Sequence, residues 1–379
     1  MRILVAPNSL RRSLSASAAA DAIADGLRAG DATLEVATLP IADGGDDTGE
    51  VLRTALGGSR RRAAAHDALG RPFEAAYVVL DDGTAVIDVA SASGWGPLGS
   101  AERDPLRAST FGTGELIAAA LGAGAKKILV GLGGSATTDG GAGLLQALGV
   151  RWLDAQGALL PSGGAALTGL DRVDVAGLDP RLKTTELVLA CDVDCPLLGA
   201  AGAARMFGPQ KGAAPGDVET LERGLARFGE VVARDLSVDP RSTPRAGAAG
   251  GAAGGLHAVL GAPMRSGAEL VLERLSFDER LAGCDLVVTA EGHLDAQTLR
   301  DKGPYRVACA ASRRGTPVIV IAGGVDPGLP REVLSPFDAI FSLCRRPMTL
   351  ERAMADAGPL LRETATEIAH VLALSAARR

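Results

Sequence analysis

Short apolar runs recur along the chain, and each is followed by turn residues or by a helical pattern. The first run, residues 3–6, ends at a proline, as a buried parallel strand would. The next segment has apolar residues spaced as in a helix; Ser15 or Ser17 can cap it, and Gly30 ends it. A second strand is predicted at residues 36–40, with another helix after it. This alternation predicts a sheet covered by helices on both faces.

The pattern changes near residue 70. Residues 73–80 and 84–90 form two apolar runs separated by Asp81-Asp82-Gly83, and the Asp-Gly step predicts a β-hairpin. Further alternation of strand and helix patterns follows to the end of the chain. The remaining strands are predicted at residues 127–130, 186–190, 285–289, 317–322 and 338–343.

These elements predict an α/β protein with two three-layer α/β/α domains. We expect a discontinuous Rossmann-like domain, residues 1–70 and 283–379, interrupted by a second α/β domain, residues 71–282, which carries a glycine-rich phosphate loop. Such an insertion is tolerated when the ends of the inserted domain lie close together. Two sequential domains are the alternative.

Composition and charge exclude several classes of protein. The 379 residues include 39 Lys+Arg and 45 Asp+Glu, giving a net charge of −6, so a basic nucleic-acid binder is excluded. Five cysteines and no secretory leader argue against a disulfide framework, and we expect a cytoplasmic protein. The longest uncharged stretch, residues 246–264, contains six glycines. We interpret it as a glycine-rich loop through residue 256 and a short core helix, and not as a membrane span.

A predicted strand at residues 127–130 runs into a segment rich in glycine, residues 131–141, called the glycine loop below. Its backbone N–H groups and the start of the following helix suit phosphate oxygens. The candidate nucleotide-binding residues are Gly133, Gly134, Ser135, Thr137, Asp139 and Gly140. A dinucleotide-binding fingerprint completed by Asp154 is one alternative, and a simple tight turn is the other.

Three acidic loops follow predicted strands, at residues 43–48, 191–194 and 291–295. Loops at the carboxyl ends of parallel strands gather at one edge of a sheet, where hard oxygen ligands suit Mg²⁺ and a carboxylate can accept a hydroxyl proton. The candidates are Asp43, Asp192, Glu291 and Asp295. Solvated loop acids or helix caps remain the alternative.

Two basic residues are candidates for binding an anion. Lys211 lies in a turn with little bulk around it, where it can approach an anion as a compact charge; an ordinary surface lysine is the alternative. Arg71 lies at the start of the predicted inserted domain, where its guanidinium can bind a carboxylate through two hydrogen bonds. An interdomain salt bridge is equally consistent with Arg71.

Taken together, these segments resemble the glycerate kinase family, the bacterial type that shares no motif with P-loop or protein kinases. The resemblance spans nearly the whole chain. It rests on Ala6-Pro7-Asn8-Ser9, Ser13-Leu14-Ser15-Ala16, Ala42-Asp43-Gly44-Gly45, Arg103-Asp104-Pro105, Gly112-Thr113-Gly114-Glu115, Cys191-Asp192-Val193 and residues 133–141, 207–212, 247–255 and 291–297. The sequence departs from the family pattern at Asn8, Arg11, Asp46-Asp47, Thr138, Cys195, Ala290 and His293.

The resemblance implies ATP-dependent phosphorylation of D-glycerate to 2-phosphoglycerate, with 3-phosphoglycerate as the alternative product and ATP and Mg²⁺ as cofactors. Asp192 is then the expected base and Lys211 the lysine near the transferred phosphate. Arg71 is the expected clamp on the glycerate carboxylate, and Asp43, Glu291 and Asp295 help to position substrate or metal. An NAD(P)-dependent hydroxy-acid oxidoreductase and a non-catalytic nucleotide-binding module remain as alternatives.

Overall fold

The computed structural model describes residues 1–10, 13–96, 98, 102–295, 302–330 and 334–376. The chain divides into two compact units. Unit one consists of Met1–Asp43 and Ala268–Arg379, and unit two of Gly44–Gly267. None of the helices within these described stretches combines the length and the apolar character that crossing a membrane requires.

The strands, numbered along the chain, have the following bounds. They are β1 Arg2–Val5, β2 Glu35–Thr38, β3 Ser59–His66, β4 Pro72–Val79, β5 Thr84–Asp88, β6 Lys127–Gly131, β7 Arg151–Leu153, β8 Arg172–Asp174, β9 Glu186–Ala190, β10 Met264–Arg265, β11 Leu286–Glu291, β12 Val318–Ala322 and β13 Ala339–Ser342.

The α-helices are numbered in the same way. They are α1 Ala16–Gly30, α2 Thr48–Leu56, α3 Ala90–Ser93, α4 Phe111–Gly122, α5 Ala142–Ala147, α6 Ala203–Phe207, α7 Pro215–Leu236, α8 Ala252–Leu260, α9 Gly267–Arg274, α10 Phe277–Arg280, α11 Gly303–Ser312, α12 Leu350–Ala355 and α13 Ala357–Ala376.

Unit one is built on a parallel five-stranded sheet with the strand order β13-β12-β11-β1-β2. Every residue of β11 and β12 is buried, as expected for parallel strands covered on both faces. Ser15 caps α1 by accepting a hydrogen bond from the Ala18 N–H, which agrees with the predicted start of this helix.

Unit two is built on a six-stranded sheet with the order β10-β9-β6-β5-β4-β3. Strands β5, β6, β9 and β10 are parallel, whereas β4 and β3 are antiparallel to their neighbours. The predicted Asp-Gly hairpin is confirmed, because β4 pairs with β5 through Val78 and Val86. Strands β7 and β8 form a separate two-stranded ribbon.

The α/β class is confirmed, and the structure differs from the sequence prediction in two details. The units divide at residues 43 and 267, whereas the predicted domains divide at 70 and 282. Strand β3 pairs with β4 along its full length, so a division at residue 70 would separate two hydrogen-bonded strands. The loop predicted through residue 256 ends earlier, because α8 begins at Ala252.

Candidate active site

Three neighbouring parallel strands of unit two end at the same level, and polar or glycine-rich segments follow them. Asp88 of β5 is in register with Gly131 of β6, and Gly131 is in register with Ala190 of β9. The glycine loop follows β6, and Asp192 follows β9. The predicted phosphate loop and the predicted base therefore leave adjacent strands at the same edge of the sheet.

The glycine loop packs against the segment that begins unit two. The Gly133 N–H donates to the Gly44 carbonyl oxygen at 2.9 Å. A Cβ atom at Gly133 would lie 2.3 Å from the Gly45 Cα, and one at Gly134 would lie 1.7 Å from Asp46 Oδ1. Gly134 also has a φ of +69°. Glycine is thus required at these positions by close backbone approach and by backbone conformation.

The Asp139 side chain is hydrogen-bonded to backbone N–H groups at the start of α5. Its carboxylate is buried and accepts hydrogen bonds from the Thr110 N–H and hydroxyl and from the N–H groups of Gly141 and Gly143. Burial raises the pKa of Asp139, and these hydrogen bonds oppose the rise. The next N–H, that of Gly140, donates to the Gly250 carbonyl oxygen. Both residues therefore stabilise the shape of the loop.

Lys211 is buried against the glycine loop and is not an ordinary surface lysine. Its Nζ donates to Ser135 Oγ at 3.1 Å and to the Thr137 carbonyl oxygen at 2.5 Å. Burial lowers the pKa of Lys211 to about 8, although the negative charge of Asp139 opposes this shift. The lysine thus brings a positive charge to the centre of the predicted phosphate loop.

Trp95, which was not predicted as a site residue, adjoins the same loop, and Arg103 of the motif Arg103-Asp104-Pro105 stacks on it. Trp95 donates from its indole Nε1 to the Ser135 carbonyl oxygen at 2.7 Å. The Arg103 guanidinium carbon lies 4.3 Å from the centre of the Trp95 ring, and Nη1 donates to the Gln210 carbonyl oxygen. The chain has only two tryptophans, and this rarity is the sequence signal that could have identified Trp95.

Asp192 is held in place by residues at the carboxyl end of β10. Its Oδ1 atom accepts a 2.8 Å hydrogen bond from the Ser266 hydroxyl and a 2.7 Å bond from the Gly267 N–H. The Arg245 guanidinium donates to the carbonyl oxygen of the preceding residue, Cys191. These contacts fix the orientation of the carboxylate, which a general base requires.

Asp88 is a second carboxylate at this edge and was also missed from the sequence. Its Oδ2 atom accepts a hydrogen bond from the Gly49 N–H at 3.1 Å. Its Oδ1 atom is buried and has no hydrogen-bond partner within the part of the chain that the structure describes. Burial raises the pKa of Asp88 to about 7, and the nearby carboxylates of Asp46 and Asp47 raise it as well.

Arg71, the predicted carboxylate clamp, already contacts two acidic side chains. Its Nε lies 2.5 Å from Asp67 Oδ2, and its Nη1 lies 2.7 Å from Glu102 Oε1. Asp67 also accepts hydrogen bonds from the backbone N–H groups of Leu69 and Arg71. Binding of a substrate carboxylate by Arg71 would therefore have to compete with Glu102 or Asp67.

The other predicted site residues belong to unit one: Asp43 lies beyond the end of the edge strand β2, and Glu291 and Asp295 lie at and beyond the end of the central strand β11. Asp43 Oδ2 accepts a hydrogen bond from the Asn8 side-chain amide at 3.0 Å. The Lys302 Nζ lies 3.6 Å from Glu291 Oε1 and 3.8 Å from Asp295 Oδ1, so this lysine joins the two acids. Lys302 was not predicted as a site residue. Residues 296–297 of the motif and Arg11 lie outside the described residues.

The three acidic loops follow strands of two different sheets. Asp43 and Glu291 follow strands of the sheet of unit one, whereas Asp192 follows a strand of unit two. The dinucleotide alternative is also unsupported, because Asp154 follows β7 of the separate ribbon and caps a turn by accepting from the Gln156 and Ala158 N–H groups. A dinucleotide fingerprint needs its acid at the next strand of the main sheet.

The residues at the edge of unit two fit a magnesium ion that arrives with a nucleotide. The described residues contain no group of three or more His, Cys, Asp or Glu side chains arranged to hold a metal. Mg²⁺ in phosphoryl-transfer sites usually takes only one or two carboxylates, and phosphate oxygens and waters supply the rest. The unpartnered Oδ1 of Asp88 is a suitable oxygen for such an ion.

Comparisons with known proteins agree on one family. The sequence model of the glycerate kinase family matches residues 3–373. The chain is 42% identical to glycerate 2-kinase of Escherichia coli (strain K12) over 375 residues, 99% of this chain and 98% of the relative. It is also 42% identical to glycerate kinase of Bacillus subtilis (strain 168) over 376 residues, with the same coverage.

A solved structure gives the same result for the fold. The crystal structure of a protein assigned as glycerate kinase 2 from Salmonella typhimurium LT2 superposes with a TM-score of 0.84 at 42% identity, and 99% of each chain is covered. Members of this family are phosphotransferases that act on an alcohol group. The chain described here belongs to the glycerate kinase family.

Proposed function

We propose that this protein transfers the γ-phosphoryl group of ATP to D-glycerate and releases 2-phosphoglycerate and ADP. Membership of the glycerate kinase family supports the substrate class and the reaction. The name of the E. coli relative, glycerate 2-kinase, supports phosphorylation at carbon 2. A cytoplasmic location and Mg²⁺ as the cofactor are parts of the same proposal.

The arrangement of Lys211 in the glycine loop is the observation that carries this proposal. The loop carries the hydroxyls of Ser135 and Thr137, and the Thr137 hydroxyl is buried with no hydrogen-bond partner among the described residues. The Lys211 ammonium adds a positive charge that is bonded to the loop itself. Phosphoryl transfer depends mainly on such positioning and charge neutralisation. Mg²⁺, when bound, would add charge neutralisation between the phosphates.

Asp192 is the proposed base for the reaction. The hydroxyl oxygen of glycerate forms a bond to the γ-phosphorus, the bond between that phosphorus and the bridging oxygen of ADP breaks, and the hydroxyl proton passes to the Asp192 carboxylate. Its Oδ1 atom accepts the Ser266 and Gly267 hydrogen bonds, and these hold the carboxylate in one orientation. A carboxylate fixed in this way keeps its orientation while the substrate binds.

The remaining predicted residues receive substrate-positioning roles in this proposal. Arg71 binds the glycerate carboxylate by exchanging one of its acidic partners for the substrate. Asp43, Glu291 and Asp295 position substrate or metal, with Lys302 balancing the charge of the two acids that it contacts.

The reaction is tested by measuring ADP release with purified protein, ATP and Mg²⁺, with and without D-glycerate. ADP release that depends on glycerate supports the proposal, and ¹³C and ³¹P spectra of the product distinguish 2-phosphoglycerate from 3-phosphoglycerate. ATP binding without glycerate-dependent ADP release would contradict it. NAD(P)H formation from a hydroxy acid would instead establish the oxidoreductase alternative.

A further inference from the structure

We propose that Asp88 is a direct ligand of the divalent cation that accompanies the nucleotide, with the Gly44 carbonyl oxygen beside it. The inference rests on the proposed function, since the cation is expected to arrive bound to ATP. Asp88 has no part in the proton transfer to Asp192 or in the phosphate binding by the glycine loop, so the inference gives this carboxylate a role of its own.

The Asp88 carboxylate has one satisfied and one unsatisfied oxygen. Oδ2 accepts the Gly49 N–H at 3.1 Å, which fixes the plane of the carboxylate. Oδ1 is buried and lacks a hydrogen-bond partner, and Asp88 forms no ion pair with any residue that the structure describes. Leaving a buried carboxylate oxygen without a partner is costly, so the site is arranged for a ligand that binds such an oxygen.

Gly131, which has no side chain, lies against this oxygen. A Cβ atom at Gly131 would lie 2.6 Å from Asp88 Oδ1 and 3.2 Å from the Gly44 carbonyl oxygen. The Asp88 carboxylate oxygen and the Gly44 carbonyl oxygen therefore both lie beside Gly131, at the start of the glycine loop. Hard oxygens of this kind are the ligands that Mg²⁺ and Mn²⁺ prefer.

Nearby charge also favours a cation over an anion at this position. Asp46 and Asp47 act electrostatically on Asp88, and Asp46 Oδ1 fills the position that a side chain at Gly134 would need. A phosphate alone would be repelled by these carboxylates, whereas a divalent cation bridges them to phosphate oxygens held by the loop. The inferred ligand is therefore a divalent cation bound together with phosphate.

Metal binding by variants tests this assignment. Mn²⁺ is titrated into the full-length protein with a non-hydrolysable ATP analogue, and the free ion is followed by electron paramagnetic resonance. We expect Asp88→Asn to weaken Mn²⁺ binding in this complex by about tenfold or more. Asp174→Asn is the matched control, since Asp174 also ends a strand of unit two and its partners among the described residues are the Ala176 N–H and the Arg151 guanidinium. The control is expected to bind Mn²⁺ as the wild type does.

A change of metal preference provides a second readout. Asp88→Cys replaces the hard oxygen with a soft sulfur, so it should lose activity with Mg²⁺ and regain part of it with Cd²⁺. A protein in which Asp88 only supports the fold would show no such exchange. Unaltered Mn²⁺ binding by Asp88→Asn would overturn the inference.

Wild-type crystals grown with Mn²⁺ and the ATP analogue make the test independent of variant folding. Anomalous density within about 2.5 Å of Asp88 Oδ1 supports the assignment, and a bound ion with no contact to Asp88 overturns it. The proposed function fails separately, if the wild type shows no glycerate-dependent ADP release.

Discussion

Asp192 is the single residue on which turnover should depend most strongly. An Asp192→Asn variant keeps an Oδ1 atom that can accept the Ser266 and Gly267 hydrogen bonds, so we expect it to fold and bind ATP. Loss of the base should lower kcat by about 10²- to 10⁴-fold. Steady-state kinetics, thermal unfolding and ATP titration measure the three properties. The control is Asp194→Asn, an exposed acid of the same loop.

If Asp192→Asn turns over glycerate at the wild-type rate, another residue must accept the proton. If Asp194→Asn is impaired as severely as Asp192→Asn, the effect belongs to the loop as a whole and not to one carboxylate.

Lys211 should give the binding of ATP a dependence on pH. Burial lowers the pKa of Lys211 to about 8, so the ammonium loses its proton as the pH rises through this value. ATP affinity, measured by calorimetry between pH 7 and pH 9.5, should therefore fall above pH 8. The dependence should be absent in Lys211→Met. A wild-type affinity that does not change across this range would contradict the prediction.

The same residue has a calculable effect on folding. The pKa of Lys211 in the folded protein lies below the unfolded value of 10.5, so the unfolded chain holds the proton more tightly. Burial of the Lys211 ammonium therefore lowers the free energy of unfolding, and this loss is complete below pH 8. As the pH rises from about 8 to about 10.5 the loss disappears, so the protein becomes more stable over this range.

At the residue scale, the sequence identified the glycine loop more readily than the side chains that support it. Glycines in a strand-to-loop transition are visible in the sequence, but the burial of Lys211 depends on a contact with residues more than seventy positions away. Asp88 was missed because residues 84–90 were interpreted as one apolar strand, whereas β5 ends at Asp88. Whether a carboxylate oxygen has a hydrogen-bond partner can be read only from the three-dimensional structure.

At the scale of elements, the contact between α1 and α13 in unit one depends on small residues. A Cβ at Gly26 would lie 2.2 Å from the Arg362 carbonyl oxygen and 2.8 Å from the Ala365 Cβ. A Cβ at Gly30 would lie 2.6 Å from the Thr366 carbonyl oxygen. The two helices can approach this closely only because neither position carries a side chain.

A Gly26→Ala substitution should therefore destabilise the protein although alanine favours helices. We expect a loss of about 1–3 kcal/mol from overpacking, measured by denaturant unfolding. The matched control is Gly358→Ala in α13, where a Cβ would meet nothing within 4 Å and alanine should be neutral or stabilising. Equal stability of the two variants would show that the helices can separate without cost.

The elements that the sequence predicted carry strong local signals, and those it missed do not. The Asp-Gly turn is sufficient to predict the β4–β5 hairpin. Strand β3 was missed because its Ser-Arg-Arg-Arg-Ala-Ala-Ala-His sequence lacks apolar alternation, and pairing with β4 supplies its order. Glycines in α8 opposed a helix, but Gly255 packs where a Cβ would lie 2.1 Å from the Gly140 carbonyl oxygen. Tertiary packing there overrides the helix propensity.

At the scale of the whole molecule, each unit has its own buried cluster. One cluster is formed by residues of β1, α1, β11, β12 and α13, all in unit one. A larger one is formed by residues between Ala65 and Ala262, all in unit two. A segment with its own core is expected to fold by itself.

Residues 44–267 expressed alone should therefore show a cooperative thermal transition and dispersed amide resonances. The comparison protein is unit one with residues 43 and 268 joined by a short glycine-serine linker, which should also fold. A fragment of unit two that is unfolded under conditions in which the full chain is folded would contradict this prediction.

The insertion of unit two between the two segments of unit one has a consequence for synthesis on the ribosome. Strand β1 emerges first, yet its neighbour β11, which pairs Ile3 with Leu286, is translated only after the whole of unit two. About 280 residues must be added in between, which takes about 14–56 s at about 5–20 residues per second. Throughout this interval the apolar face of the first segment lacks its partner, so chaperone demand should be greatest for nascent chains that end before residue 286.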